Sequence, residues 1–220
     1  MESLETELAR AHALDSSRLA DAIESVGFEC TRCGGCCKSL EDESGDTEAH
    51  TATVFPDEIR TLEARGYDWR DVARPMPYGL AEGAEGLEGE TFEWALQTDC
   101  GDCTFYQEED GVGACTVHED RPLVCRTYPF SVALGGTAQP LGEAVDREGM
   151  VRAHECEGLG RDISRADADD LAKSLKERAV RELEEAIAVR DTYEPTRADG
   201  VVVHDSEGPK RPDGTSLDER

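Results

Sequence analysis

Leu4, Leu8 and Ala11 share one helical face near the start of the chain, and Leu19, Ile23 and Val26 repeat the pattern, so residues 1–27 read as two helical pieces. Asp15-Ser16-Ser17 offers a cap for the second piece, and Gly27 closes it. Ala52 to Phe55 fits a short strand. Pro56-Asp57 then opens a helix expected to run through Arg65 and stop at Gly66. A short helix follows from about Trp69 to Arg74, and Pro75 and Pro77 break the chain after it. Phe92 to Leu96 alternates apolar and polar positions, as an exposed strand would. The strongest pattern runs from about Ala166 to Val189. There Leu171, Leu175, Ala179, Leu183 and Ile187 fall at four-residue steps among good helix formers, predicting a long helix packed on the core.

Other stretches lack such periodicity. Residues 41–48 read as an acidic loop. Residues 79–90 are rich in Gly and Glu and read as a flexible insertion whose backbone has no partner; they lack the Lys and Ser/Thr of a phosphate loop. The stretch from Cys100 to Cys125 reads mostly as loop, with a turn at Gly111 and Gly113. Residues 192–220 hold little to bury and read as a disordered acidic tail. The expected organisation is an N-terminal helical segment (1–27), a cysteine-cluster metal-binding domain (28–162), a C-terminal helix packing on the core (163–191) and that tail (192–220). The fold class is α+β: a small, loop-rich, metal-stapled domain flanked by helices.

Composition explains why a staple is expected. Hydrophobic residues make up 38% and aromatics 5%, too little apolar material for a well-filled core at 220 residues. Fifty acidic residues oppose 23 basic ones, and the formal charge of −27 is spread over the whole chain. Self-repulsion of that size is tolerable mainly where salt screens it, so a salt-rich cytoplasm of the halophilic kind is expected. No basic stripe exists to neutralise phosphates, which argues against nucleic acid and anionic lipid as partners. The first ten residues carry three glutamates and no apolar run, so neither secretion nor membrane insertion is expected.

Nine cysteines lie between positions 30 and 156. In a reducing cytoplasm they are expected to bind metal rather than form disulfides. Cys30-Thr31-Arg32-Cys33-Gly34-Gly35-Cys36-Cys37 is the densest segment: two intervening residues let a turn bring two sulfurs onto one tetrahedral ion. Adjacent Cys36 and Cys37 point to opposite faces of an extended segment and so can serve two different metals. Cys100, Cys103, Cys115, Cys125 and Cys156 supply further sulfurs. Arg32, Lys38, Arg121 and Arg126 lie within a few residues of cysteines and are expected to offset thiolate charge. His118 and His154 also lie near cysteines as alternative nitrogen ligands, whereas His12, His50 and His204 sit among polar residues and read as solvated.

The run Cys30-x2-Cys33-Gly34-x-Cys36-Cys37, then Cys115, then Arg121-Pro122-x2-Cys125-Arg126-x-Tyr128-Pro129-Phe130, then Cys156-x-Gly158-x-Gly160 resembles the YkgJ-type cysteine-cluster family, a zinc- or iron-chelating domain with eight cysteines. The resemblance covers about residues 28–162. It implies zinc or iron as cofactor and maps the eight positions onto Cys30, Cys33, Cys36, Cys37, Cys103, Cys115, Cys125 and Cys156. Three departures stand out: Cys100 is a ninth cysteine that competes with Cys103, His118 replaces a usual aromatic, and Thr104 replaces a common proline. Tyr128-Pro129-Phe130 reads as a hydrophobic anchor beside the cluster.

Two other readings follow from the same residues. Cys30-x2-Cys33-x2-Cys36 has the first spacings of a bacterial ferredoxin, although Cys37 replaces the expected continuation, so an iron–sulfur redox protein is the alternative. Some relatives of the family resemble lysine methylases that use S-adenosylmethionine with an iron–sulfur cluster, but this chain shows no recognisable site for that cofactor. A metal carrier that passes its ion to an unidentified protein partner is the third. No Ser–His–Asp arrangement and no HExxH motif assigns catalysis.

Overall fold

The computed structural model describes residues 2–41, 47–83, 86–134, 144–146, 149–196 and 199–217. It is an α+β structure that divides into two compact units interleaved along the chain: Met1–Cys36 with Glu108–Gly113 and Leu123–Glu184, and Cys37–Gln107 with Ala114–Pro122 and Glu185–Arg220. The 28–162 segment contributes to both. Among the described residues, no helix is long and apolar enough to cross a membrane.

The first unit opens with helices Leu4–His12 and Ser16–Val26. Asp15 Oδ1 accepts the Ser17 amide at 2.9 Å as the expected cap, and Gly27 ends the second helix with φ +76°. Leu19, Ala20 and Ile23 are buried against the long helix Arg165–Thr192 and a three-stranded antiparallel sheet. In that sheet Val151–His154 lies between Phe130–Val132 and Ala144–Asp146. The long helix buries Ala168, Ala172, Leu175, Ala179 and Leu183, while Leu171 and Ile187 are half-buried. A strict four-residue step drifts by about 40° per repeat on a 3.6-residue helix, so the true apolar face includes a three-residue step.

In the second unit, Trp94–Leu96 is the central strand of an antiparallel sheet, paired with Thr53–Val54 and Ala73–Pro75. Helix Pro56–Glu63 starts at its proline as expected, and the four-residue helix Trp69–Val72 is capped by Asp68. Trp94, Ala95 and Leu96 are all buried, not exposed on alternate positions. The reason is tertiary: the strand has a neighbour on each side, and Trp94 Nε1 donates to buried Asp205 Oδ2 at 2.8 Å.

That aspartate belongs to a stretch expected to be disordered. Val201–Asp205 and Gly208–Lys210 instead form two strands of a four-stranded sheet, with Val202, Val203, His204 and Asp205 buried. Val201–Asp205 runs parallel to Gly86–Thr91, which pairs antiparallel with Leu80–Gly83. Residues 80–83 and 86–90 therefore do have backbone partners, while residues 84–85 lie outside the described residues. Their glycines fit close strand crossings: a Cβ on Gly79 (φ +86°) would stand 2.6 Å from the Glu90 carbonyl oxygen. Of the expected acidic loop, residues 42–46 lie outside the described residues, while Leu40–Glu41 pairs with Thr47–Glu48.

Candidate metal centre

None of the nine cysteines is joined in a disulfide. Cys30, Cys33, Cys36, Cys125 and Cys156 belong to the first unit, and Cys37, Cys100, Cys103 and Cys115 to the second. The boundary between the units falls between the two adjacent cysteines.

In the first unit the chain leaving helix Ser16–Val26 pairs with the segment that follows Cys156. Phe28 and Leu159 form an antiparallel bridge. Around it the Glu29 amide donates to the Gly158 carbonyl, and the Gly160 amide to the Gly27 carbonyl, each at 3.0 Å. A Cβ on Gly158 would lie 2.2 Å from the Glu29 carbonyl oxygen, so only glycine permits this approach. The pairing sets Cys156 beside the start of the Cys30–Cys36 loop. Arg32 (φ +58°) and Gly34 (φ +78°) then bend that loop in left-handed conformations, and the Gly113 amide donates to the Arg32 carbonyl at 2.7 Å.

Cys30, Cys33 and Cys36 are exposed, and Cys156 is half-buried. The Gly158 amide donates to Cys156 Sγ at 3.4 Å, the usual way a backbone N–H supports a thiolate. Burial pushes the Cys156 thiol up, the Gly158 N–H pulls it down, and charge on Cys36, Cys33 and Cys30 pushes it up again. The loop cysteines are thus near enough for their charge to be felt at Cys156. Burial, together with Cys156 and Cys36, likewise pushes the Tyr128 phenol up to about 12. Tyr128 Oη donates to the Glu155 carbonyl, and the His154 amide donates to Pro129 O at 2.9 Å, so the Tyr128–Phe130 turn runs alongside the approach to Cys156. Phe130 is fully buried and meets Phe28 edge-on, ring centres 5.7 Å apart.

In the second unit the Cys103 amide donates to the Cys37 carbonyl at 2.8 Å, and Cys103 is buried. Thr98 and Cys103 face one another at the base of a tight hairpin whose tip is Cys100-Gly101, both left-handed (φ +51° and +92°). Ser39 donates through its amide and its hydroxyl to Asp102 Oδ1, at 2.8 and 3.0 Å, which fixes this hairpin to the residues after Cys37. Exposed Cys100 is hydrogen-bonded to Asp99, and that bond and the carboxylate's charge hold its thiol up, a poor setting for a metal ligand.

The histidines divide differently from the expectation. His118 is exposed beside Glu119, and His154 Nε2 shares a hydrogen bond with Ser131 Oγ at 2.8 Å. His12 is exposed, but His50 and His204 are not simply solvated. His204 is buried against Phe92 and Tyr193, 3.3 Å from Glu90 Oε1. His50 donates its amide to the Gly101 carbonyl at 2.7 Å, and its Nε2 is buried without a hydrogen-bond partner. Burial, aided by the charge of Arg74, lowers its pKa to about 4. Of the expected charge-offsetting cations, Lys38 stands over the Tyr106 ring, Arg121 Nε donates to the His118 carbonyl, and Arg32 and Arg126 are exposed.

Among the described residues, no three Cys, His, Asp or Glu side chains stand closed around one point as they would about a bound ion. The donor set nonetheless fits zinc or iron. It is all sulfur, its first three members have metal-ligand spacing, and the charge of those three acts on Cys156, which a divalent cation would offset. Gly35, whose Cβ would lie 3.6 Å from Cys33 Sγ, leaves the loop open beside that sulfur.

No curated protein and no solved structure matches the chain. Residues 29–157, more than half of the 220, match the family described as "CxxCxxCC: putative zinc- or iron-chelating domain". With the cysteine loop, its glycine-dependent pairing and the matched span in agreement, the chain belongs to the CxxCxxCC family of zinc- or iron-chelating domains.

Proposed function

We propose that the first unit chelates one zinc or iron ion through the thiolates of Cys30, Cys33, Cys36 and Cys156. The observation that carries this reading is the Glu29–Gly158 pairing, which brings Cys156 to a loop already holding three cysteines at metal-ligand spacing. Four thiolates fill a closed tetrahedral site, the arrangement of structural zinc, and leave no open position for substrate. Cys37, Cys103 and Cys115 in the second unit and Cys125 in the first complete the expected eight. The contact of Cys103 with Cys37 supports Cys103 over Cys100 as the ligand.

A bound ion would contribute to folding directly, because the unfolded chain holds no preformed site. The test is purification without oxygen in high salt, with zinc, iron and acid-labile sulfide measured together with the visible spectrum. Stoichiometric zinc or iron, lost to a chelator together with the folded circular dichroism signal, is the expected result. Iron with matching sulfide and a brown chromophore would move the iron–sulfur reading ahead. A chain that holds neither metal, and whose melting is indifferent to chelator, overturns the proposal.

A further inference from the structure

The family match ends at residue 157, yet a residue of the long helix beyond it reaches back to the cysteine-bearing segment. Arg178 is 2% exposed. Its Nε donates to Glu182 Oε1 at 2.7 Å, one helical turn away. Its Nη1 donates to Thr127 Oγ1 at 3.1 Å and lies 3.5 Å from the Phe130 carbonyl oxygen. Thr127 is fully buried and passes the contact on, its hydroxyl donating to the Leu123 carbonyl at 2.7 Å. The guanidinium thus meets the C-terminal end of the five-residue helix Leu123–Thr127, which carries Cys125 at its middle.

The ion pair with Glu182 does not account for this placement. An i,i+4 pair on a helix contributes little, and it forms as well at the surface, whereas burying a guanidinium is costly. What burial adds here is the pair of contacts from Nη1 to Thr127 and Phe130, at the carbonyl-rich end of the short helix where a cation is favoured. The turn between those two residues carries Tyr128, whose hydroxyl holds the Glu155 carbonyl next to Cys156.

We infer that Arg178 is a positioning residue of the metal centre: through Thr127 and Phe130 it holds the Cys125 helix and the Tyr128 turn in place, and retention of the metal depends on it. The inference rests on the chelation reading above. It makes the long helix part of the metal-binding fold, although the family match stops short of it.

The test measures transfer of metal from the loaded full-length protein to a chromogenic chelator, well below the unfolding midpoint of every variant. Arg178→Met and Thr127→Val are expected to speed transfer by about tenfold, the usual cost of losing a support behind metal ligands. Thr127→Ser, which keeps the hydroxyl, is expected to restore the original rate. Leu183→Ala is the structural control: it shortens a core side chain of the same helix and removes no hydrogen bond to Thr127 or Phe130. Transfer from Arg178→Met and Thr127→Val no faster than from Leu183→Ala overturns the inference and leaves chelation standing. If Arg178→Met does not fold, the comparison of Thr127→Val with Thr127→Ser decides. A wild-type chain that takes up neither zinc nor iron overturns chelation itself, and this inference with it.

Discussion

Glu29 and Gly158 are joined by a 3.0 Å backbone hydrogen bond across a gap that leaves no room for a side chain at position 158. This single approach carries the chain out of the N-terminal helices and past Cys156 before the cysteine loop begins. Gly158→Ala would force a methyl to within 2.2 Å of a backbone oxygen, and the obstruction cannot swing aside as a flexible side chain would. A loss of about 1–3 kcal/mol of stability is expected, with weakened metal uptake. Denaturant unfolding with and without zinc checks both. Gly35→Ala, with 3.6 Å of clearance from Cys33 Sγ, is expected to be far milder.

The two cysteines of the Thr98–Cys103 hairpin should part company on mutation. Cys103→Ser removes a buried sulfur beside Cys37 and is expected to lower metal affinity by at least about tenfold. Cys100→Ser, at an exposed hairpin tip where Asp99 pushes the thiol's pKa up, should leave metal content unchanged. Metal analysis of the two variants, with competition against a chelator of known affinity, distinguishes them. Equal losses would place both sulfurs on the metal.

His50 predicts a pH dependence with a definite sign. Its folded pKa, about 4, lies below the ordinary 6.5, so the unfolded chain binds the proton first. Its contribution is complete above pH 6.5 and is lost as pH falls toward 4. Between pH 7 and 5 the wild type should lose about 2 kcal/mol more than His50→Gln. Urea midpoints of the two proteins at both pH values provide the check, since thiolate protonation affects them alike. Parallel declines would count against a buried neutral His50.

The last 28 residues should prove indispensable to the second unit. Lys210 Nζ reaches Asp205 Oδ2 at 2.5 Å and Glu207 Oε2 at 2.7 Å, and the same Asp205 accepts from Trp94 in the central strand. Lys210→Met would leave Asp205, 1% exposed, without its cation, at a cost of about 3–5 kcal/mol. Ending the chain after Thr192 should remove the parallel partner of Gly86–Thr91 and expose Trp94. A tryptophan emission spectrum unchanged by the truncation would contradict this.

The chain's own pattern was enough to determine whatever depends on neighbours in sequence. The paired N-terminal helices with their Asp15 cap, the proline-started helix at Pro56, the long helix and the cysteine-cluster family were all legible from spacing, motif and turn chemistry. Only tertiary structure decided matters that depend on distant partners. Residues 79–90 and 192–220 look unstructured alone because each lacks apolar material, yet Gly86–Thr91 and Val201–Asp205 complete one another's backbone hydrogen bonding. Trp94 reads as half-exposed until both neighbouring strands and Asp205 are counted. His50 reads as solvated because its burial comes from residues such as Gly101 and Arg74. The cysteines themselves are named by the sequence. Which of them share a unit is set by pairings such as Glu29 with Gly158 and Cys37 with Cys103, between positions more than sixty residues apart. Periodicity records what one element does along its length, whereas closure of a site requires contacts that no local pattern encodes.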